Sequence, residues 1–399
     1  DQIINLHDRS DFKVVLKEDN NALDEVVVVG YGTQKKATLT GAVEQIDSQV
    51  LESRAITNVG AALQGATPGL VVTRSSSRPG NEGLNFQIRG LTSVNGGSPL
   101  IIVDGVPVLN SESFQNLNSD DIENISVLKD GSASIYGAKA ANGVILVTTK
   151  KGKSGTNKIS YTGEFTMRMK PSYSNFNIMN SQEQMDVYKT LESNGYLTFA
   201  DVYRASNSGV YGKMYHLINS YDANTGFGMP NTPEARNAYL REAEYRNTDW
   251  FDVLFNNSIS QNHAISMTSG TEKASYYTSL SVMNDPGWTK QSKVQRYTAN
   301  LNALYNISKK VSLNLIGNAS YRKQRAPGSL SSNLDPVSGE VKRDFDINPY
   351  SYALNTSRAL DPNEYYVRNY APFNILHELD NNYMDLDVVD MKFQGEFKY

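Results

Sequence analysis

Residues 297–307 read Tyr-Thr-Ala-Asn-Leu-Asn-Ala-Leu-Tyr-Asn-Ile. Apolar side chains take every odd position of this stretch, and the even positions are polar except Leu304. A period of two residues is typical of a β-strand whose two faces meet different surroundings. Tyrosines lie near both ends of the apolar face. This order is typical of a strand that turns its apolar face to lipid and its polar face to an aqueous lumen.

The same alternation recurs through the second part of the chain. Strands are predicted near residues 159–169, 258–269, 275–283, 297–307, 311–321 and 387–399. The connections at 270–274 and 308–310 are short, whereas those at 170–257, 284–296 and 322–386 are long. Short turns on one side and long loops on the other are typical of an outer-membrane barrel and not of a β-sandwich. Leu301 and Leu313 are predicted to face lipid, and Asn302 and Asn314 the lumen.

The number of strands suggests an incomplete barrel. About six strands are predicted, whereas the smallest barrels have about eight and large plugged transporters about 22. Six strands cannot enclose the domain predicted for residues 34–154, so we expect the N-terminal part of a longer barrel. Residue 1 is Asp and no signal-peptide pattern precedes it, so we expect a mature or truncated product.

Composition narrows the class of protein. The chain has 399 residues, a formal net charge of −4 and no cysteine. It offers no strongly basic face for nucleic acid. A long chain without cysteine fits a bacterial envelope protein that crosses an oxidising compartment unfolded. No run of 18 apolar residues is present, so no transmembrane helix is predicted.

Composition changes near residue 150, and the part before it is predicted to be a mixed α/β domain. Of 24 tyrosines only Tyr31 and Tyr136 precede this point. A helix is predicted over 58–63 with Asn58 as its N-cap, and a second over 132–140. Asp104-Gly105 is predicted to form a tight turn. Short strands are predicted at 69–73, 86–89, 100–103, 125–128 and 144–149.

A run of four valines, Val26 to Val29, favours an extended backbone. By composition alone it would be a buried strand. It lies between polar segments, however, which favours an exposed strand that pairs with a partner chain. Gly30-x-Gly32 resembles the start of a dinucleotide fingerprint, but Lys35 occupies the third glycine position, so nucleotide binding is rejected.

A series of motifs then points to a known family. The series begins with Asp24-Glu25-Val26-Val27-Val28-Val29-Gly30-Tyr31-Gly32-Thr33 and continues with Leu39-Thr40-Gly41-Ala42-Val43, Leu63-Gln64-Gly65, Ile88-Arg89-Gly90, Ile102-Val103-Asp104-Gly105, Leu128-Lys129-Asp130, Ile135-Tyr136-Gly137 and Ala141-Asn142-Gly143. These motifs resemble the TonB box and plug of SusC/RagA-like TonB-dependent transporters, closely over residues 24–150. The barrel part resembles the family mainly through Thr248-Asp249-Trp250, Ser269-Gly270, Tyr276-Tyr277 and Arg296-Tyr297. Asp285-Pro286-Gly287-Trp288 departs from the plain glycine turn that is usual there.

The resemblance implies an all-β membrane protein, a large antiparallel transmembrane β-barrel of about 22 strands with an N-terminal α+β plug. Residues 1–23 would be the tail of a β-sandwich extension, 24–33 the TonB box and tether, 34–154 the plug, and 155–399 the first strands and extracellular loops of a truncated barrel. The implied TonB box is Glu25, Val26, Val27, Val28, Val29, Gly30 and Tyr31. The implied structural residues of the plug are Arg89, Asp104, Gly105, Tyr136, Gly137, Asn142 and Gly143, with Arg89 expected to be buried beside a carboxylate or carbonyl groups.

The function implied by the resemblance is TonB-dependent import of oligosaccharides or peptides across a bacterial outer membrane, with the N-terminus in the periplasm. The implied partners are TonB with its proton-driven inner-membrane complex, a SusD-like surface lipoprotein and outer-membrane lipid; a dimer of SusC–SusD pairs stays open. The alternative is a secreted or surface β-rich adhesin that does not transport. The residues that contact substrate stay unknown.

No catalytic residue, cofactor or metal is predicted. The four histidines, His7, His216, His263 and His377, are scattered without metal spacing, and no Gly-x-Ser-x-Gly elbow occurs. His263 alternates with Ile265 and Met267, which favours a place in the barrel wall. Asp344, Asp346 and Asp361 lie in one long connection, where a calcium site stays open but a solvated loop is favoured.

Overall fold

The structure is a computed structural model that describes residues 43–52, 54, 58–74, 84–90, 97–108, 111–327 and 348–399, together with the backbone of two short strand pairs. These pairs are β1 (Val26–Val29) with β2 (Gly32–Lys35), and a second pair, Asn333–Leu334 with Val341–Lys342. Residues 1–23 lie outside the described residues. Among the helices of the described ranges, none has the length and apolar character needed to cross a bilayer.

The region predicted to be the plug, residues 34–154, is called the plug below; its described elements form an α/β domain around a small sheet. Its elements are β3 (Val43–Asp47), α1 (Ser48–Glu52), α2 (Val59–Ala62), β4 (Leu70–Arg74), β5 (Leu84–Ile88), β6 (Leu100–Val103), β7 (Val106–Pro107), α3 (Ser111–Gln115), β8 (Ile122–Leu128) and β9 (Val144–Thr149). The main sheet has the order β3-β8-β9-β6-β7, and only β6 and β9 pair in parallel. All six residues of β9 are buried, because helices and the β4–β5 pair cover the sheet.

Several plug predictions are confirmed. The strands at 100–103 and 144–149 have the predicted bounds, and Asn58 caps α2 by accepting a hydrogen bond of 2.8 Å from the Gly60 amide. The predicted helix over 132–140 is wrong in detail, since two 3-10 helices, Asp130–Tyr136 and Ala138–Ala140, occupy it. Gly137 separates them because its φ of 71° breaks the helical path.

The rest of the chain forms a strand wall with helical connections. In chain order the elements are β10 (Asn157–Arg168), α4 (Ser181–Ser193), α5 (Phe199–Val202), α6 (Gly209–Asn219), β11 (Tyr221–Asp222), β12 (Gly226–Phe227), α7 (Pro233–Arg246), α8 (Trp250–Leu254), β13 (Ser258–Gly270), β14 (Ala274–Asp285), β15 (Lys293–Ser308), β16 (Val311–Pro327), β17 (Asn333–Leu334), β18 (Val341–Lys342), α9 (Pro349–Asn355), β19 (Tyr366–Arg368), β20 (Ala371–Phe373), α10 (Ile375–Asn381) and β21 (Tyr383–Lys398). The wall is one antiparallel sheet in the order β10-β13-β14-β15-β16-β21.

The wall buries its polar face and exposes its apolar face. Leu301 is 48% exposed, whereas its neighbour Asn302 is 1% exposed. On β21, Phe393 is 82% exposed while Lys392 and Gln394 point toward the plug. A soluble sheet does the opposite, because exposed apolar area costs free energy in water. The alternation that predicted a lipid-facing strand is therefore confirmed, and Asn314 is likewise buried on the polar face.

The tyrosines of β15 mark the limits of the lipid-facing band. Tyr297 stacks on Tyr321 of β16 with ring centroids 6.2 Å apart, and Tyr305 lies eight residues further along. At about 3.3 Å per residue this separation is about 26 Å along the strand, less when the strand is tilted. It matches the roughly 25 Å apolar band of outer-membrane barrels.

The long connections fold into a separate layer, here called the cap (residues 169–257 and 348–382). The two segments share one core that contains Met185, Tyr211, Trp250, Phe251 and Leu379. The connections at 271–273 and 309–310 are short, so the predicted alternation of short and long connections is confirmed. The helices of the cap were not predicted.

Candidate functional site: the contact between the plug and the wall

The plug meets the polar face of the wall through a short segment that ends in the 3-10 helix Ser119–Asp121. This segment connects α3 to β8, and β8 holds it firmly because Ile122, Ile125 and Val127 are fully buried. Polar side chains at 113–121 therefore face strands β13, β14, β15 and β21. The contact is built from hydrogen bonds.

Asp121 lies at the centre of this contact. Its side chain is 3% exposed and accepts hydrogen bonds from the Tyr277 hydroxyl at 2.9 Å and from the Ser279 hydroxyl. Its backbone carbonyl accepts the Lys150 amide at 2.8 Å. Burial raises the pKa of Asp121, and the hydrogen bonds from Ser279 and Tyr277 lower it by less. The wall thus binds one buried acid of the plug, named here the Asp121 latch (Asp121, Tyr277 and Ser279).

Strand β21 supplies a second group of contacts. Asp390 accepts hydrogen bonds from Ser113 at 3.0 Å and from Asn116 at 2.6 Å. Lys392 donates to the Val103 carbonyl at 2.5 Å, and Gln394 donates to the Asp104 carbonyl at 3.0 Å. These inward residues alternate with exposed Met391 and Phe393, so one face of β21 contacts the plug and the other face is exposed.

Strands β13 and β15 complete the contact. The guanidinium of Arg296 donates to the Gln115 carbonyl at 3.2 Å, and the Asn262 amide approaches the Asn118 side chain at 3.5 Å. None of the contacts described here joins two apolar side chains. Such an interface can open at modest cost, because water replaces each hydrogen bond that is lost.

Asp104 and Gly105 form the predicted tight turn between β6 and β7. Their φ values are 49° and 83°, which is the type I′ geometry of a two-residue hairpin. The Asp104 carboxylate accepts from the Thr149 amide at 2.9 Å and from its hydroxyl at 3.0 Å. Because Gln394 also binds the Asp104 carbonyl, this turn connects the plug sheet to the wall.

The other predicted plug residues lie away from the wall contacts described here. Tyr136 packs on a small core with Leu128 and Leu146, next to Gly137. Gly143 has a φ of 86°, and a Cβ there would lie 2.7 Å from Ile88 Cδ1, so only glycine fits. Asn142 is half-buried beside it.

Arg89 departs from its expected place. Strand β5 ends at Ile88, and Arg89 follows with a φ of 56° and donates its amide to the Gly69 carbonyl at 2.8 Å. Its side chain is exposed, so the expectation of a buried arginine is wrong. The left-handed backbone ends β5 beside the start of β4, next to the pair of Leu70 with Ile88. A structural role for Arg89 in the plug stays a prediction.

The predicted TonB box lies only partly in the described part of the chain. Val26 to Val29 form β1, whereas Glu25, Gly30 and Tyr31 lie outside the described residues. Strand β1 pairs along its whole length with β2, from Val26 with Lys35 to Val29 with Gly32. Within the described residues its other edge has no partner strand. Its role in coupling stays a prediction.

The remaining candidate residues serve the wall and the cap. His263 is in the wall, where Nδ1 and the Tyr161 hydroxyl are 2.8 Å apart. Asp285 is fully buried and pairs with Arg168 at 2.8 Å, while Trp288 packs on Phe255 of the cap, so the unusual turn joins wall and cap. Among the described residues no cluster of three or more His, Asp or Glu could hold a metal ion. Asp344 and Asp346 lie outside the described residues.

The sequence did not single out the latch. Asp121 stands in a run of polar residues, Asn118-Ser119-Asp120-Asp121, that has no distinctive pattern. Tyr277 differs from exposed Tyr276 only by its register on β14. Counting the period from Leu280, a lipid-facing position, would have placed Tyr277 and Ser279 on the inner face.

Comparison with known proteins gives the following similarities. Residues 35–144 match the family described as TonB-dependent Receptor Plug Domain. TonB-dependent receptor P26 of Formosa agariphila is 34% identical over 316 residues, which are 78% of this chain and 28% of that relative. TonB-dependent receptor SusC of Bacteroides thetaiotaomicron is 33% identical over 298 residues, which are 72% of this chain and 25% of that relative. The chain spans about a quarter of the length of these relatives.

Solved structures show the same likeness. The RagAB peptide importer in its open-open state superposes with a TM-score of 0.58 at 27% identity, over 75% of this chain and 32% of that one. The closed-closed state gives a TM-score of 0.55 at 25% identity, over 72% of this chain and 31% of that one.

Proposed function

Because the chain belongs to the SusC/RagA-like TonB-dependent transporters, we propose that the intact protein imports oligosaccharides or peptides across a bacterial outer membrane. The observation that carries this proposal is the inverted wall. Its apolar face is exposed, as lipid requires, and its polar face holds a plug by hydrogen bonds. A polar wall face covered by a plug suits a gated channel for hydrophilic cargo.

The gate opens when the plug is pulled. TonB adds a strand to the free edge of β1, where backbone hydrogen bonds supply the affinity. Traction then reaches the plug through the polypeptide between β2 and β3. The plug leaves the wall, or part of it unfolds, as water takes over the hydrogen bonds of the Asp121 latch and of Asp390.

A SusD-like lipoprotein covers the extracellular side and retains cargo. In this proposal the lipoprotein contacts the cap, which is a folded layer with its own core and is not a set of loose loops. A fixed cap gives a lid a defined surface to close on.

The coupling role of β1 is tested by Val27→Pro, with Val27→Ala as the matched control. Proline removes the Val27 backbone donor, which the register directs to Gln34, and so breaks the β1–β2 pair that TonB would extend, whereas alanine keeps the donor. We expect Val27→Pro to abolish uptake of radiolabelled substrate while assembly in the outer membrane and surface binding stay normal. Failure of the proline variant to assemble would make β1 a structural strand.

The adhesin alternative conflicts with the wall. A soluble adhesin would expose Ile159, Leu280, Met391 and Phe393 to water, and the exposed fractions of these side chains are between 65% and 82%. Soluble proteins rarely expose large apolar side chains together on one face of a sheet. Heat-modifiable migration of the membrane fraction on a gel distinguishes the two cases.

A further inference from the structure

The cap contains a cavity that the plug-and-wall arrangement does not use. Its volume is about 980 Å³, and residues of both cap segments line it. Asn207 and Trp250 come from the first segment, and Tyr352, Arg368 and Glu378 from the second. This size is at the upper end of the roughly 300–1,000 Å³ of small-molecule sites, so several sugar rings fit.

The charged groups of the cavity are largely balanced. Asp361 lies 3.8 Å from Arg246, and Glu364 pairs with Lys213 at 2.8 Å. One cation, Arg368, and one anion, Glu378, are then left among the described lining residues. A site of this kind favours a ligand without net charge.

The cavity offers polar and apolar surface in about equal measure. The Arg368 guanidinium lies over the rings of Tyr352 and Phe373, 5.1 Å from each centroid. No other described residue binds the side-chain amides of Asn207 and Asn369, so they are available to a ligand. An amide offers a donor and an acceptor side by side, which suits adjacent sugar hydroxyls.

A strained hairpin forms the rim of this cavity. Strands β19 and β20 are joined by Asn369 and Tyr370, whose φ values are 50° and 66°. Glycine is strongly preferred at the second residue of a two-residue turn of this type, and Asp104-Gly105 has glycine there. Tyrosine in the left-handed region is an outlier that costs free energy.

Among the residues that the structure describes, none packs on Tyr370 to compensate its strain. The side chain is 80% exposed, so packing does not offset the backbone cost. Its neighbours Asn369 and Ala371 both line the cavity. An exposed tyrosine presents an apolar ring face, on which the apolar face of a pyranose ring packs while the nearby amides bind its hydroxyls.

We propose that the cap cavity is a binding subsite for a neutral oligosaccharide, with Tyr370 stacking on one sugar and Asn207 and Asn369 bonding its hydroxyls. This inference rests on the proposed import function and assigns its cargo to one class. Asn207 and Tyr370 belong to different cap segments, so a bound sugar bridges them.

The test measures binding of defined sugars to the intact transporter in detergent by calorimetry. The probes are neutral hexasaccharides of glucose, mannose and xylose, with an acidic hexauronide and a hexapeptide mixture for comparison. Tyr370→Gly introduces the preferred turn residue and removes the ring. Tyr196→Ala is the matched control, because Tyr196 is 69% exposed in the cap and does not line the cavity.

We expect at least one neutral hexasaccharide to bind, and Tyr370→Gly to lose at least tenfold in affinity with an unchanged or higher melting temperature. Asn207→Ala should lose severalfold, and Tyr196→Ala should bind as the parent protein does. A purely structural Tyr370 would leave affinity unchanged in Tyr370→Gly, and that result overturns the proposal. Binding of only the hexauronide or the peptides, or of no probe, also overturns it.

Failure of this inference is distinguishable from failure of the transport proposal. Loss of uptake in Val27→Pro without any neutral-sugar binding would keep TonB-dependent import and reject the sugar site. Sugar binding that depends on Tyr370, together with uptake that survives Val27→Pro, would keep the site and reject the coupling.

Discussion

Removal of one hydroxyl from the wall should loosen the plug. Tyr277→Phe deletes the donor that lies 2.9 Å from Asp121 and keeps the ring, which is 2% exposed. No cavity forms, so the change isolates one hydrogen bond. Asp121 keeps the Ser279 hydroxyl and cannot reach bulk water.

The expected magnitude follows from burial. Leaving a buried acceptor short of one donor costs about 1–3 kcal/mol. Since a tenfold change in an equilibrium corresponds to about 1.4 kcal/mol, the undocked fraction of plug should rise about 5- to 150-fold. The smaller increase in the undocked fraction applies when Asp121 is protonated, and the raised pKa of Asp121 favours the protonated form.

Because residues 1–399 contain no cysteine, an introduced cysteine is the one thiol in this part of the protein. A single Ser119→Cys reporter is 8% exposed, and both of its neighbours contact the wall. Maleimide labelling of this cysteine in outer-membrane vesicles reports how often the plug undocks. Tyr277→Phe should raise the labelling rate by the factor given above.

The matched control is Tyr276→Phe, on the same strand and the opposite face. Tyr276 is 41% exposed and turns away from the plug, so loss of its hydroxyl should leave labelling unchanged. Labelling that is equal within twofold in Tyr277→Phe and Tyr276→Phe would refute the view that Asp121 binds the plug to the wall.

Three further predictions use the same geometry. Burial raises the pKa of Asp121 in the docked plug above its ordinary 3.8, so docking is strongest below pH 3.8 and weakens as the pH rises through the raised pKa. The rate of Ser119→Cys labelling, normalised to that of the unfolded chain, should therefore rise over this pH range. The Asp121→Asn variant should show a flatter rise. Leu301→Arg should cost about 2–4 kcal/mol in barrel assembly and inward, half-buried Asn318→Arg much less, and equal urea midpoints would contradict a lipid face. If Arg89 has the structural role predicted for it despite its exposed side chain, Arg89→Ala should let small antibiotics leak without TonB and leave substrate affinity unchanged; no leak would reject that role, and lost affinity without leak would place Arg89 in the binding site.

The wall was predictable because its signal is local. Apolar and polar residues alternate along each strand over 12–17 residues, and this alternation does not depend on which element the strand packs against. The same holds for the Asp104-Gly105 turn and for the Asn58 cap, which depend on neighbouring residues alone. Strand β3 was missed because five residues with one buried side chain, Ile46, give too short a pattern.

Of the cap helices that were missed, α6 buries six of its eleven residues, whereas α7 carries almost no apolar stripe. Helix α7 spans 14 residues and buries only Leu240 and Ala243, so its pattern resembles that of a polar loop. The start of α7 could nevertheless have been predicted, since Thr232 is an N-cap residue directly before Pro233. The strained Asn369-Tyr370 turn was beyond sequence reasoning, because its residues contradict the preference of the turn that they form.

The polar nature of the latch is a consequence of the membrane. A strand with lipid on one side must place its apolar side chains there, and the period of two then leaves polar side chains for the plug. An apolar plug contact of even 400 Å² would need about 10 kcal/mol to separate, at about 25 cal/mol per Å². Hydrogen bonds such as Asp121 with Tyr277 exchange with water at about 1 kcal/mol each. The alternation that lets the wall span the bilayer therefore also keeps the plug removable by a pulled tether.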